Sequence, residues 1–316
     1  MTADRNLIIV HTEGFQDVAD FLEIAQIIHE LAPDIEVFIA SNTIPSSATR
    51  RRASRRPTLI FSPGTLLEFR PLRGKIYAGR PIPKLEQLAR FEAAGLPVPK
   101  FVQITPDVVL PESDFGSHVV VKPGLSVASH GHHMTLMRRE LVHFQPREAY
   151  PNDHPGYYGP MFAQRFIDTG PFVSHHRVLT LFGDPLLAFK TTAETARPPL
   201  DSPHEILAKI PIKARRWDGP ISRQFTWDDD ILDLARRTHL ALPEAALQGV
   251  DIIREEGSGK LHVLEANPGG NTWIFSKGEM TARLKAALRV DRLTDQFDAF
   301  RKAAKALVER TRAEAE

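Results

Sequence analysis

The chain has 316 residues, 42% of them apolar and 25% charged, enough hydrophobic material for a sizeable core and enough length for two or three domains. Forty Lys and Arg against 39 Asp and Glu leave a net charge of +1, which argues against a bulk electrostatic footprint for nucleic acid or an anionic membrane. The absence of cysteine excludes disulfides, a thiol nucleophile and every cysteine-containing zinc site; no apolar run is long enough for a signal-peptide core or a membrane span, so a soluble cytoplasmic protein is the expectation.

Residues 7–10 (LIIV) predict a short buried strand. Residues 15–31 predict a helix, because Val18, Phe21, Leu22, Ile24, Ala25, Ile28 and Leu31 recur at helical spacing. Further strands at 35–40, 58–61 and 75–79 make the opening of the chain a small parallel α/β layer. Arginines 50, 51, 52, 55 and 56 fall between the second and third strands, in a solvated loop or a docking site for an acidic peptide or phosphate.

From Pro83 the spacing predicts a helix stopped by Gly95, then an extended strand. An apolar strand at 118–121 delivers Lys122 ahead of a loop of small residues, and a second strand returns. Such a lysine either snorkels at the surface or presents a point charge to phosphates. His130, His132 and His133 lie in solvent, hydrogen-bond a phosphate or bind a transition metal, although no cysteine or well-spaced carboxylate completes a metal set.

Residues 138–160 predict a helix and then a loop, and residues 161–167 a strand leading to Asp168. SHHRVLTLF pairs through Gly183, Asp184 and Pro185 with LLAFK, which places Lys190 at a strand end. Residues 191–224 read as a long irregular segment containing Lys213, Arg215 and Arg216, followed by helices over 228–240, 279–289 and 293–312, the last with a frayed tail.

Residues 247–273 (LQGVDIIREEGSGKLHVLEANPGGNTW) predict a hairpin turning at Gly257 and Gly259. Val250 and Ile252 face one way and Asp251 and Ile253 the other, while Leu261, Val263, Glu265 and Asn267 share a face by the period-two rule. Centred on Ser258, the hairpin puts Asp251 opposite Glu265, with Asn267 one same-face step further on. Opposed carboxylates repel unless a cation lies between them. Magnesium, which takes hard oxygen ligands together with nucleotide phosphates, fits that description; an acidic hairpin in water is the alternative. In the NPGGNTW loop paired glycines admit close approach of backbone N–H groups, and Asn271 and Thr272 can hydrogen-bond a substrate; a plain turn before a helix is the other reading.

In this order the features resemble the ATP-grasp superfamily over most of residues 83–275, in particular its carboxylate-amine ligases of the D-alanine ligase and ribosomal-protein glutamate ligase branches. The resemblance is carried by Lys84 ahead of GLPVP, Lys122 in VVVKP, the segment 126–131, AQRFI, Lys190, and GVDII with LEANPGG. It implies an α/β and α+β protein: a small parallel α/β domain (1–82), a central ATP-grasp subdomain with the phosphate loop (83–160) and a C-terminal subdomain with the magnesium site (161–316). It further implies ATP contacts from Lys84, Lys122, Ser126, Ser129, Gly131, Gln164, Phe166, Ile167, Asp168 and Lys190. Magnesium, or manganese in its place, falls to Asp251, Glu265 and Asn267, and catalytic roles to Arg177, Lys190 and Asn271.

The implied activity is ATP-dependent C–N ligation, in which a carboxylate of a small acid or peptide is phosphorylated and an amine attacks the acyl phosphate. Phosphoryl transfer needs positioning and charge neutralisation more than covalent help, which suits a chain without cysteine. The expected partners are that carboxylate and an amine co-substrate, without nucleic acid or membrane, and a homodimer stays open. A small-molecule kinase and a non-catalytic nucleotide-binding protein are the alternatives. The chain departs from the family in having Gly124 and then SVASHGHH where a richer glycine run is usual, and Gln164 and Arg165 where many relatives have a glutamate.

Overall fold

The computed structural model describes residues 3–44, 46–125, 133–209, 219–269, 272–276 and 278–316, which form three sheets. The first contains β1 (Arg5–His11), β2 (Ile35–Ser41), β3 (Thr58–Ser62) and β4 (Lys75–Ala78), parallel in the order β2-β1-β3-β4. Burial on both faces explains the unbroken apolar run of β1. Leu7 and Ile9 join the core beneath α1 (Val18–Leu31), while Ile8 and Val10 join a separate cluster with Ala53 of α2 (Ser47–Ala53). Asp17 caps α1 by accepting from the Ala19 N–H, and the helix buries Phe21, Ile24 and Ile28. Val18, Leu22 and Leu31 of the expected apolar stripe remain exposed.

The arginine-rich segment is not a solvated loop. Arg50, Arg51 and Arg52 lie on α2, which Ser46 caps through the Thr49 N–H. Arg52 and Arg56 both pair with Glu36 of β2, and Arg50 donates to the Arg70 carbonyl.

The second sheet is antiparallel in the order β5-β8-β6-β7, from β5 (Phe101–Gln103), β6 (His118–Pro123), β7 (Thr135–Arg138) and β8 (Met161–Arg165). Before β6 comes the short α4 (Glu112–Phe115). Residues 138–160 hold two 3-10 turns and the short α5 (Pro155–Tyr158) in place of the expected longer helix.

The third sheet, order β11-β10-β9-β12-β13, contains β9 (Ser174–Leu181), β10 (Asp184–Ala193), β11 (Ile221–Phe225), β12 (Leu247–Arg254) and β13 (Leu261–Asn267). β11 lies in the stretch expected to be irregular, which also contains α6 (His204–Leu207); Lys213, Arg215 and Arg216 lie outside the described residues. One face of the sheet packs Val178, Ala188, Val250 and Ile252 against Ile231, Leu234 and Ala235 of α7 (Asp229–Ala241). On the other, Leu179, Leu187 and Phe189 share a core with the first sheet, completed by α8 (Glu279–Leu288) and α9 (Ala299–Glu314).

Asp298, at φ 52, interrupts the expected 293–312 helix, leaving a 3-10 turn over Leu293–Gln296 before α9. α9 packs on α1, β1 and β3 as well as β10, and its end is tied rather than frayed: Thr58 and Glu316 exchange backbone hydrogen bonds of 2.9 and 3.2 Å. Among the described residues no helix is long and apolar enough to cross a membrane.

The helix α3 (Lys84–Ala93) is fastened to the third sheet's layer through Arg90, which donates to both oxygens of Glu244 (2.5 and 2.8 Å) and to the Ala241 carbonyl. The Arg90 hydrogen bond is the chief reason the Glu244 carboxyl is held down to about 2, against an ordinary 4.5. A lowered folded-state pKa contributes stability above the unfolded value that disappears as pH falls through the folded one. Glu244→Gln is therefore expected to cost about 1 kcal/mol at pH 7. In urea melts run at a series of pH values, the gap from wild type should close between pH 4.5 and 2.

Candidate active site

Strands β12 and β13 pair with Asp251 opposite Glu265 and Gly249 opposite Asn267, but the next pair is Ile252 with Val263. Leu264 is thus the extra residue of a β-bulge, and it reverses the phase of β13. Leu261 and Val263 pack in the α7 core together with Ala266, whereas Glu265 and Asn267 point the other way with Asp251. The common face expected for Leu261, Val263, Glu265 and Asn267 is corrected accordingly: a regular strand would have sent either Val263 or Glu265 to the wrong side.

Cations already offset the repulsion between the opposed carboxylates. Asp251 is fully buried, and Arg177, its neighbour on β9, donates from Nε to Oδ1 (2.8 Å) and from Nη2 to Oδ2 (2.9 Å). Burial opposes the charge on Arg177, but the adjacent Asp251 carboxylate, helped by Glu265, outweighs it and raises the guanidinium pKa. Glu265 Oε2 lies 2.9 Å from the ammonium of Lys84.

Helix α3 brings Lys84 there. Its backbone N–H donates to the Gly124 carbonyl (3.0 Å), and one turn on, Gln87 accepts from the Ala266 N–H (2.9 Å) while donating to the Ile82 carbonyl. Pro97, beyond the helix, accepts from the Val263 N–H (2.8 Å). The open edge of β13 is thereby covered by α3 and the segment after it. Gly124 is needed for packing: an added Cβ would lie 2.9 Å from both the Pro160 carbonyl oxygen and Leu85.

Asn267 donates from Nδ2 to the Gly249 carbonyl (3.1 Å), which leaves Oδ1 as the acceptor it can offer a ligand. The Thr272 hydroxyl, expected to meet substrate, instead donates to the Asn267 carbonyl (2.7 Å) and closes the loop on itself. Trp273 packs between Phe21 and Phe300 and donates to Asp20. Pro268 accepts from the Arg80 N–H (2.8 Å), and an added Cβ on Gly79 would lie 2.4 Å from the Pro63 oxygen and 3.1 Å from that of Pro268. The loop thus seats against the C-terminal ends of β3 and β4. Asn271 lies outside the described residues.

A second polar cluster lies on the β5-β8-β6-β7 sheet. Lys122 is buried on β6 and donates to Gln164 Oε1 on β8 at 2.5 Å. An ammonium only donates, so this contact fixes the amide orientation and leaves the buried Nε2 of Gln164 with no partner among the described residues. Val120, cross-strand from Gln164, belongs to an apolar cluster with Leu136, Leu207 and Phe166, and Ile167 is buried just beyond. Asp168 accepts from the Gly170 N–H (2.8 Å) and from Arg197 (2.7 Å). Ser126, Ser129, Gly131, His130 and His132 lie outside the described residues; His133 follows them at φ 62 with its ring edge-on to His154 at 4.5 Å.

Lys190 is not brought to this site. It pairs with His176, and Phe189 with Arg177, so strand alternation sets Lys190 on the α7 side with His176 and Ile252 while Arg177 and Asp251 occupy the other face. Burial, and after it the charge of Lys190, lowers the His176 pKa to about 4. Thr191, the next residue, lies on the Arg177 face, in a row with His175 and Arg223 across β9, β10 and β11. Arg223 was hidden in sequence because ISRQF carries few apolar residues to mark it as a strand.

The donor set fits a hard divalent ion. Asp251, Glu265 and Asn267 Oδ1 offer hard oxygen ligands on one face of the hairpin, and the Lys84 ammonium on Glu265 can turn to another anion. The Gln164 donor, without a partner among the described residues and beside an apolar cluster, fits a flat heterocycle with an acceptor on its edge.

No family model and no curated protein matches the chain. Solved structures do. The ATP-grasp ligase PsnB complexed with minimal precursor, Mg and ADP is 14% identical, with a TM-score of 0.52 over 98% of this chain and 99% of that one. The D-cycloserine synthetase DcsG is 14% identical, with a TM-score of 0.51 over 96% and 99%. D-alanine–D-alanine ligase from Bacillus anthracis is 12% identical, with a TM-score of 0.50 over 98% of both. The chain resembles the ATP-grasp ligases over nearly its whole length, and its mixed α/β architecture of parallel and antiparallel sheets is theirs.

Asp251→Asn would leave the Arg177 guanidinium facing a neutral amide. With the arginine side chain 34% exposed, the expected loss is about 1–3 kcal/mol, less than for a wholly buried pair, and is measured by denaturant unfolding.

Proposed function

We propose that the chain is an ATP- and magnesium-dependent ligase that joins a carboxylate to an amine through an acyl phosphate. The observation that carries this reading is the pairing of Asp251 with Arg177 and of Glu265 with Lys84 on one sheet face. Among the described residues these two acids, with Arg177, Lys84 and the Asn267 amide oxygen beside them, gather oxygen ligands and cations on one sheet face, suited to a metal-bound polyphosphate. The names of the similar structures support it: PsnB is a ligase seen with Mg and ADP, and the Bacillus anthracis protein is a ligase of D-alanine.

In this reading residues 1–82, 83–160 and 161–316 are the preceding domain and the two ATP-grasp subdomains. Gln164 donates to the base, Phe166 and Ile167 flank it, and Asp168 meets the ribose hydroxyls. Lys122, Ser126, Ser129 and Gly131 meet the phosphates. Asp251, Glu265 and Asn267 would hold magnesium, which when bound neutralises phosphate charge and orders the phosphate oxygens. A substrate carboxylate oxygen attacks the γ-phosphorus, and the bond from that phosphorus to the bridging oxygen of ADP breaks. Arg177 stabilises the charge moving through the phosphoryl group, and Asn271 orients the acyl group. The amine then attacks the acyl carbon, and phosphate departs with the former carboxylate oxygen. The amine proton passes to phosphate or solvent. PsnB is seen with a precursor, and carboxylates of peptides and of small acids are the substrate classes to test.

ATP at about 100 times its Kd should stabilise the protein by about 2.7 kcal/mol in a thermal-shift assay with magnesium and far less in chelator. Equal stabilisation in both conditions would count against the metal set. Lys122→Ala is expected to weaken nucleotide binding at least tenfold, and Glu265→Ala to cut single-turnover rate at least a hundredfold with a smaller effect on affinity.

With a competent carboxylate and no amine, hydroxylamine should trap a hydroxamate, and ¹⁸O in the carboxyl group should appear in released phosphate. A stable phosphorylated product with no hydroxamate identifies a kinase instead.

A further inference from the structure

The two ion pairs at the hairpin differ in a way that bears on how a metal enters. Arg177 grips Asp251 through two hydrogen bonds, and that carboxylate is fully buried. Lys84 meets Glu265 through a single 2.9 Å contact at a rim where the two side chains are 16% and 15% exposed. A guanidinium in a fork is held by geometry, whereas an ammonium on a flexible stem is a point charge that changes partner readily. The Lys84 backbone is fixed by its N–H bond to the Gly124 carbonyl and by its place in the first turn of α3. Only the side chain has to move for the contact to break.

Resting on the ligase reading above, we infer that Lys84 is an exchangeable counter-ion that occupies Glu265 in the empty protein. It keeps a free divalent cation from binding there and releases the carboxylate only when nucleotide phosphates arrive to take the ammonium. No covalent bond changes; one ammonium leaves a carboxylate for a phosphate oxygen, and the cation takes its place. Arg177 stays on Asp251 throughout. Lys84 thus makes the site accept a metal together with a nucleotide and reject the metal alone.

Mn²⁺ titrated into the full-length, nucleotide-free protein, with the unbound ion read by electron paramagnetic resonance, tests this directly. Wild type should bind Mn²⁺ weakly. Lys84→Met should bind it at least tenfold more tightly, Lys84→Arg should remain as weak as wild type, and adding Glu265→Gln to Lys84→Met should abolish the gain. Lys84→Gln serves as a second neutral variant if the methionine form unfolds. Unchanged Mn²⁺ affinity in the neutral variants, with stabilisation of wild type by magnesium and ATP intact, overturns the exchange alone. Loss of that stabilisation in wild type overturns the nucleotide reading and the exchange with it.

Discussion

A carboxylate with no solvent exposure in the middle of a sheet is stable only if its charge is answered where it stands, and Arg177 answers that of Asp251 from the adjacent strand. Much around it follows from this pairing. β9 has to be central, between β10 and β12, so that the guanidinium is level with the acid. On the far side of β12 the Leu264 bulge turns Glu265 and Asn267 to the same face while Val263 and Ala266 keep the α7 core closed. Polar site and apolar core are thus served by one seven-residue strand that a regular pleat would have forced to choose between them.

Helix α3 carries that order across to the sheet of Lys122. Lys84, Gln87 and Arg90 recur on one face and contact Glu265, the Ala266 N–H and Glu244 respectively. The charged end of the helix meets the site, its amide closes a sheet edge and its arginine anchors the far turn. Because the Lys84 N–H also holds Gly124 at the end of β6, the helix fixes the approach of both polar clusters.

Much of the hairpin was legible in the sequence. A hairpin centred on Ser258 predicts the Asp251 to Glu265 pair that is observed, although the pairs nearest the turn, from Arg254 with Leu261 to Ile252 with Val263, centre half a residue earlier and the bulge makes up the difference. The bulge was not legible, since an extra residue in an otherwise apolar and acidic strand leaves no compositional mark. Lys190 shows the same limit: it was placed by its similarity to a motif, whereas its face is set by pairing with His176. α2 was missed because five arginines resemble a solvated run, and their partner Glu36 sits on another element. Long-range partners fixed these outcomes, and local pattern does not encode them.

The roof that α9 forms over the first sheet has a consequence for synthesis. β1, β3 and α1 are made early, yet part of the cover for Leu7, Ile9, Phe21 and Phe61 belongs to a helix beginning at Ala299. Until that helix has emerged, a nascent chain presents an apolar surface beside the unpaired outer edges of β2 and β4. Late closure of distant contacts is slow and leaves such surfaces open to association. The demand this fold places on chaperones therefore falls on its first-made part, for as long as the chain between β4 and α9 is being added.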